Sequence, residues 1–393
     1  MHSALAVTTE TYDMDLAASE LAAQIKASFP PVANSCGILF ADPDYDGELL
    51  LARLRDELDM EIIGSTSAAM LSSRGYHAMC ATLLVMGGDD CVFGAALSPP
   101  LDGIHTEQQL KETFDRARAK LGNNEPVVIF TLSAADAGCI EDARLSLLRK
   151  FGGDIPVFGG VAADHFEFAH TRVFGEGGSG TASMALLLAG GNIRPKFVMR
   201  NVSRKHLSKS RITSSSGNTV HTIDGVSAYD YMVRHGADAS SSMALHFTPL
   251  LVETQDGEND DGHIICRPFI ALDPETGHGT TISEVPVGSA VTVQTIQGSD
   301  IGDASRDAME SLLRGIEEEK DYHYSTVLVM SCAARHMVLA FDREREAILA
   351  KSIFPAGLNF AGFYSFGEFC PISVEQGKAD NRLHNLSLGL CAL

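Results

Sequence analysis

Apolar and amphipathic stretches alternate along this chain in an order that occurs three times. Each time, a short apolar run leads to an amphipathic stretch, a second apolar run, a second amphipathic stretch, a third apolar run ending at a glycine, and a closing apolar run. The three segments cover about residues 5–86, 92–188 and 291–390, the last beginning with the apolar run Val291–Ile296. Segments of this length have the size of small domains rather than of solenoid repeats. The pattern therefore predicts three related βαβαββ units.

The amphipathic stretches are expected to be helices because their apolar residues recur every three or four positions. In the three units in turn, these stripes are Leu50, Leu54 and Leu58; Leu110, Phe114, Ala117 and Leu121; and Ala308, Leu312 and Ile316. The apolar runs between them are rich in Val, Ile and Leu, which is typical of strands buried on both faces of a sheet. The expected fold class is therefore α/β (mixed α+β), with mixed parallel and antiparallel sheets, and with the last strands of each unit forming antiparallel hairpins.

Residues 191–288 interrupt the repeat. Within them, Arg194–Met199 and Thr219–Ile223 are expected to be strands, and Val226–Val233 a short helix. We place a domain boundary near Gly236. The expected domains are residues 1–235, with the first two units and an extension, and residues 236–393, with the third unit.

Composition excludes some partners. The 393 residues include 30 basic and 51 acidic side chains, a net charge of −21, which argues against nucleic acid because phosphate binding needs clustered Lys and Arg. The N-terminus lacks the pattern of a signal peptide, and no apolar run approaches the ~18 residues that span a bilayer, so no membrane insertion is expected. Eight scattered cysteines without a C-x-x-C spacing indicate free thiols in a reducing, cytoplasmic setting.

The segment after the third apolar run of the second unit is a candidate ligand site. Gly159 and Gly160 follow a predicted buried strand, and Asp164 comes shortly after them, with His165 and His170 close by. Bare glycines let ligand atoms contact backbone N–H groups, and an aspartate can receive an ammonium or hydroxyl group. The alternative is a tight turn in which Asp164 caps the loop.

Several short motifs follow one another in one order along nearly the whole chain. They are Gly159-Gly160-x-Ala162-x-Asp164 with Phe168, Thr171, Val173 and Phe174; the run from Ile212 to Tyr231; Ile282–Val293; Ser331–Arg335; Gly362–Glu368; and Leu383–Ser387. Together they resemble the N-terminal and C-terminal domains of the FIST family of intracellular sensory proteins. The first unit departs from the family pattern because Ser65–Met70 carries neither the further glycine nor the acid, which argues against a ligand site there.

The resemblance implies ligand sensing in bacterial signal transduction. Amino acids have been suggested as ligands for the family, and some members are haem-binding nitric-oxide sensors. It also implies a separate output partner, such as a histidine kinase or a cyclic-dinucleotide signalling protein.

The third unit carries the richest set of polar candidates. Arg335 follows one predicted strand, and Glu368 follows the glycine turn after another. Opposite charges at neighbouring strand ends suit a zwitterion, with Arg335 binding a carboxylate and Glu368 an amine. Tyr364, His384 and Asn385 are further hydrogen-bonding candidates. The alternative is a structural Arg335–Glu368 salt bridge with no ligand.

Two other functions stay open. Haem would need an axial ligand, and the candidates are His165, His170, His336 and His384. A hydrolase would use Cys332 with His336 or His384, or a serine, as its nucleophile. We expect a non-catalytic protein without a cofactor or metal that binds an amino acid or a similar small polar metabolite. A haem-based nitric-oxide sensor is the first alternative and a hydrolase the second.

Overall fold

The computed structural model of the chain describes residues 1–101, 103–134, 141–202, 209–254 and 263–393. Cys139 and the expected start of the second helix of the second unit, Ile140, lie outside the described residues. No helix of the described ranges is long and apolar enough to cross a membrane.

The first unit follows the predicted order of strands and helices. Its elements are β1 (His2–Val7), α1 (Met14–Ser28), β2 (Asn34–Ala41), α2 (Gly47–Glu57), β3 (Glu61–Thr66), β4 (Met70–Ser72), β5 (Gly75–His77) and β6 (Ala81–Gly88). The Asp13 and Asp46 carboxylates accept backbone N–H groups at the starts of α1 and α2. These bonds fix where the two helices begin, because the first N–H groups of a helix have no partner within it.

The second unit repeats this order. Its elements are β7 (Cys91–Leu97), α3 (Thr106–Lys120), β8 (Pro126–Ser133), α4 (Glu141–Gly152), β9 (Val157–Val161), β10 (Val173–Gly175), β11 (Gly178–Gly180) and β12 (Met184–Gly191). The leucine and phenylalanine stripe predicted on its first helix is buried, with Leu110 and Phe114 at 0% and 6% exposure.

The third unit does not begin where the sequence pattern predicts. Its first strand is β13 (Lys196–Asn201), and a separate sheet is inserted before the rest of the unit. The inserted elements are β14 (Ser210–Ser216), β15 (Thr219–Ile223), β16 (Val226–Ser227), α5 (Ala228–Arg234), α6 (Ser242–Leu245), β17 (Leu250–Thr254), β18 (His263–Arg267), β19 (Phe269–Leu272), β20 (Gly279–Thr281) and β21 (Ala290–Val293). The unit then continues with α7 (Gly298–Glu318), β22 (Thr326–Cys332), α8 (Ala333–Leu339), α9 (Arg345–Ile353), β23 (Asn359–Ser365), β24 (Glu368–Glu375), β25 (Lys378–His384) and β26 (Ser387–Ala392).

The expected first strand, Val291–Ile296, is thereby corrected. Its apolar residues belong to β21, which pairs with β14 and β17 in the inserted sheet. The place beside β26 is taken by β13 over six residue pairs. An apolar run of four to six residues suits either sheet equally well, so local pattern does not decide between them.

A hairpin from another unit completes each of the three main sheets. The strand orders are β1-β6-β2-β3-β10-β11, β25-β24-β9-β8-β12-β7 and β13-β26-β22-β23-β4-β5. The first unit therefore receives the hairpin of the second, the second receives that of the third, and the third receives that of the first. The predicted antiparallel hairpins are present, but each pairs with a neighbouring unit.

The three main sheets share one apolar core. Phe40, Phe130, Phe158, Met330 and Phe363 come from strands of all three and belong to one buried cluster. The rings of Phe40 and Phe363 stack with centroids 4.7 Å apart. Helices cover the outer faces, so the expected α/β class with mixed sheets is confirmed.

Candidate functional site

Asp164 is used by its own loop. It is 1% exposed, and its carboxylate accepts four backbone N–H groups, those of residues 167–170, at 2.9–3.1 Å. Burial raises the pKa of Asp164, but these four bonds outweigh burial and hold the pKa below its ordinary value. The arrangement is the capped turn that the sequence allowed as an alternative. Asp164 therefore fixes the loop that carries His165 and His170, and Thr171 is buried behind it.

The glycines of the same segment make room for other strands. A Cβ on Gly159 would lie 1.8 Å from the Thr131 carbonyl oxygen, and φ at Gly159 is +157°. A Cβ on Gly160 would lie 2.8 Å from the Phe363 ring. Gly362 repeats the first collision, at 1.7 Å from the Val329 oxygen. The repeated glycine thus lets the third strand of a unit pass close to the second.

Arg335 pairs with Glu346 and not with Glu368. Its Nη2 lies 2.8 Å from Glu346 Oε1, and both side chains are completely buried. Ser305 and Ser331 donate to the same carboxylate at 2.8 and 2.7 Å. Burial raises the pKa of Glu346, but the Arg335 charge and these bonds bring it below its ordinary value. The expected Arg335–Glu368 pair is corrected, because the first turn of α9 places a carboxylate nearer to the guanidinium.

Glu368 lies in a different buried network. It is paired with Gly160 in the register of β24 and β9, so hairpin exchange brings these two sequence candidates together. Ser365 and Ser387 donate hydroxyl hydrogen bonds to its two carboxylate oxygens at 2.8 and 2.7 Å. Burial raises the pKa of Glu368 to about 8. A protonated carboxyl at neutral pH does not attract an amine as an ionised one would.

The remaining third-unit candidates are also interior groups. Asn385 Oδ1 accepts from Arg267 Nη1 at 3.1 Å, and His384 Nε2 lies 3.0 Å from the Cys370 carbonyl oxygen. Tyr364 is completely buried. The five side chains expected to surround one zwitterion are thus divided between two packed networks. Their role in ligand binding stays a prediction.

Three of the four candidate haem ligands differ in exposure. His336 is 6% exposed, its Nε2 lies 2.9 Å from the Tyr76 hydroxyl, and burial lowers its pKa to about 4. His165 and His170 are about half and two-thirds exposed on the loop held by Asp164. His384, the fourth, is the buried residue described above.

A cleft lies where α4 faces β25 and the inserted sheet. It has a volume of about 580 Å³. Its lining residues are Asp142, Leu145, Ser146 and Arg149 on α4; Val252, Glu253, Ile265 and Arg267 on β17 and β18; Glu284 and Pro286–Ala290 in the loop before β21; and Asn381–Leu383 on β25. Ligand pockets typically enclose about 300–1,000 Å³. The cleft is therefore large enough for a small metabolite.

Charges of both signs line this cleft. Arg382 pairs with Asp380 at 2.7 Å, and burial, followed by the nearby charge of Arg149, lowers the pKa of Arg382. Two guanidinium groups this close favour an anion between them. Asp142 Oδ2 is shielded from solvent and has no hydrogen-bond partner among the described residues. Arg267, 7% exposed, donates to the Leu383 carbonyl and fixes the floor of the cleft.

Sequence reasoning did not find the cleft residues. Asp142 and Arg149 are seven positions apart on α4, which places them on one helix face, and this spacing was an available signal. Arg382 and Glu284 come from distant parts of the chain, so nothing in the local sequence joins them to α4.

Comparison with known proteins gives a consistent result at the family level. A model of the FIST N domain matches residues 35–226, and a model of the FIST C domain matches residues 226–371. No curated protein matches the chain. Among solved structures, a cyanuric acid hydrolase from A. caulinodans aligns over 99% of this chain and 98% of its own, at 8% identity and a TM-score of 0.37. A likeness this weak carries no information about activity.

Proposed function

The chain belongs to the FIST family, and from this premise we propose that it is a sensory protein that binds a small zwitterionic metabolite, such as an amino acid, in the cleft beside α4. FIST domains are associated with sensory signal transduction. The proposal replaces the site expected at Arg335 and Glu368 with one that solvent can reach.

The charge pattern of the cleft is the observation that supports this ligand class. Arg149 and Arg382 offer two adjacent cations to a carboxylate, which guanidinium groups bind with paired hydrogen bonds. Asp142 offers a carboxylate oxygen that lacks a donor among the described residues. An ammonium group would supply that donor, and desolvated polar atoms gain most from such a partner. A zwitterion satisfies both ends of the cleft at once.

The alternatives have weaker support. No histidine of the described residues lines the cleft, so it offers haem no imidazole ligand. Burial raises the pKa of the Cys332 thiol well above its ordinary value, and a protonated thiol is a poor nucleophile. We therefore propose a non-catalytic binding protein that uses no haem.

We further propose that the protein reports ligand binding in the cytoplasm to a separate output protein, such as a histidine kinase or a cyclic-dinucleotide signalling protein. The seven cysteines within the described residues are all free and buried, as in a reducing compartment. The net charge of −21 favours a partner surface that carries basic residues.

The test is a thermal-shift screen of the proteinogenic amino acids and related zwitterions, followed by calorimetric titration of any hit. Arg149→Ala should weaken binding roughly 10- to 150-fold, since a hydrogen bond to a charged group contributes about 1.5–3 kcal/mol. Asp142→Asn should weaken binding of the zwitterion while sparing an analogue that lacks the amine. Both variants should retain the melting temperature of the ligand-free protein.

Lys150→Ala is the matched control. Lys150 follows Arg149 on α4 but pairs with Glu107 on α3 and does not line the cleft. Its affinity should equal that of the unmodified protein. A hit whose Kd is unchanged by Arg149→Ala would place the ligand elsewhere, and the absence of any hit would count against this ligand class.

A further inference from the structure

Three potential metal ligands from two units converge at the carboxyl end of β2. Asp42 directly follows β2, Asp44 lies in the turn before α2, and His165 lies in the loop after β9. His165 Nε2 is 3.7 Å from Asp42 Oδ1 and 3.9 Å from Asp44 Oδ2. One ligand atom from each residue lies within 4.8 Å of the other two. This cluster is separate from the cleft, so it does not depend on the proposed function.

The state of Asp42 distinguishes this cluster from ordinary surface carboxylates. The Asp42 side chain is only 3% exposed. Its sole hydrogen bond within the described residues is from the Asp44 N–H to Oδ1 at 3.1 Å, which leaves Oδ2 without a donor, and no Lys or Arg of those residues pairs with it. Burying a carboxylate without a compensating cation is costly.

The local field also has a negative sign. Burial, followed by the charges of Asp42 and Asp44, raises the pKa of the Tyr12 phenol. A bound cation would reverse this field and complete the coordination of the buried carboxylate.

We propose that Asp42, Asp44 and His165 bind a divalent transition-metal ion such as Mn²⁺, Co²⁺ or Zn²⁺. One imidazole nitrogen and two carboxylate oxygens form a mixed set that suits these ions and disfavours Mg²⁺, which prefers oxygen ligands alone. Ligand atoms about 2.1 Å from a tetrahedral ion lie about 3.4 Å apart. The separations of 3.7 and 3.9 Å therefore need to close by only a few tenths of an ångström. Two carboxylates also neutralise the charge of the ion.

The backbone holds these ligands in place. The Asp42 N–H donates to the Cys80 carbonyl at 3.0 Å, and the Tyr45 N–H donates to the Asp42 carbonyl at 3.0 Å. On the other side, the four N–H groups bound by Asp164 fix the loop that begins at His165. Supporting bonds of this kind orient metal ligands and raise affinity.

The ion would join the first unit to the second. The same junction is formed by pairing of β3 with β10, where Phe174 lies opposite Gly64. A ligand that binds only the folded chain stabilises it in proportion to the logarithm of its concentration over Kd. Metal binding should therefore raise the melting temperature of the whole chain.

The experiment uses the full chain after treatment with a chelator, titrated by calorimetry with MnCl₂ and CoCl₂. One equivalent of each metal should bind, and the Co²⁺ spectrum should lack the near-ultraviolet band of a thiolate ligand, which excludes the cysteines. His165→Ala and Asp44→Asn should each weaken binding at least tenfold. Their side chains are 49% and 69% exposed, so both variants should fold.

His170→Ala is the matched control, because His170 is carried by the same loop and lies 3.4 Å from Glu167 instead. It should bind Mn²⁺ like the unmodified protein. Two results would overturn the proposal: a titration without saturable binding, or a His165→Ala variant whose Kd for Mn²⁺ equals that of the unmodified protein.

Discussion

Replacing Glu346 with alanine should severely destabilise the protein, because it would leave a charged guanidinium in the core without a partner. Glu346 is completely buried and accepts four hydrogen bonds, from Arg335 Nε and Nη2, Ser305 and Ser331, at 2.7–3.2 Å. Removing one partner of a buried ion pair typically costs about 3–5 kcal/mol. Folded proteins have a total stability of about 5–15 kcal/mol, so the loss would be a large part of it.

The assay is urea unfolding followed by circular dichroism at neutral pH. Glu346→Ala should lower the unfolding midpoint markedly, whereas Glu317→Ala, which removes an exposed glutamate from α7, should leave it within error. The double variant Arg335→Met/Glu346→Leu should recover most of the lost stability, because it removes the charge together with its partner.

The pH dependence follows from the same pair. The pKa of Glu346 in the folded protein lies below its ordinary value. The stability that the ionised carboxylate contributes is therefore present above the pKa of the unfolded chain and is lost as the pH falls through the folded pKa. A loss below about 1 kcal/mol in Glu346→Ala, or a double variant no more stable than the single one, would refute this reasoning.

Two further predictions concern the glycine turn and the second buried carboxyl. Gly159→Ala places a Cβ 1.8 Å from the Thr131 oxygen and should lower the melting temperature by many degrees, whereas Gly103→Ala, which meets no atom within 4 Å, should not; equal melting temperatures would contradict the packing role. Glu368 has a folded pKa of about 8, above its ordinary 4.5, so the stability from its protonated form is complete below about pH 4.5 and is lost as the pH rises through 8. In Glu368→Gln the urea midpoint should therefore fall less between about pH 5 and pH 8 than in the unmodified protein, and parallel declines would show that Glu368 is ionised when folded.

The elements of the fold were largely predictable from local pattern. The stripes Leu50–Leu58 and Leu110–Leu121 predicted two helices that the structure contains as α2 and α3. The glycine after each third strand was also visible, but its purpose was not. Gly159 was expected to admit a ligand, and it instead admits the neighbouring strand, because the same backbone property serves both uses.

The partners of the polar residues were much harder to predict. Arg335 was assigned to Glu368 across two strand ends, although Glu346 lies only a short distance along the chain. Charge pattern shows that a buried cation needs an anion, and it does not show which of several acids will lie within 3 Å. The same limit applies to His165, which was considered as a haem ligand and which lies beside Asp42 and Asp44.

By itself, the sequence determined the threefold repeat of strands and helices, the α/β class and the family, because each depends on residues close together in the chain or on the order of short motifs. Only the tertiary structure decided which strand begins the third unit, which sheet receives each hairpin, and which side chains face the cleft beside α4. Strand pairing joins residues that are far apart, and a short apolar run is compatible with many partners. The choice among them depends on packing across the whole molecule, and the sites between units exist only after that choice is made.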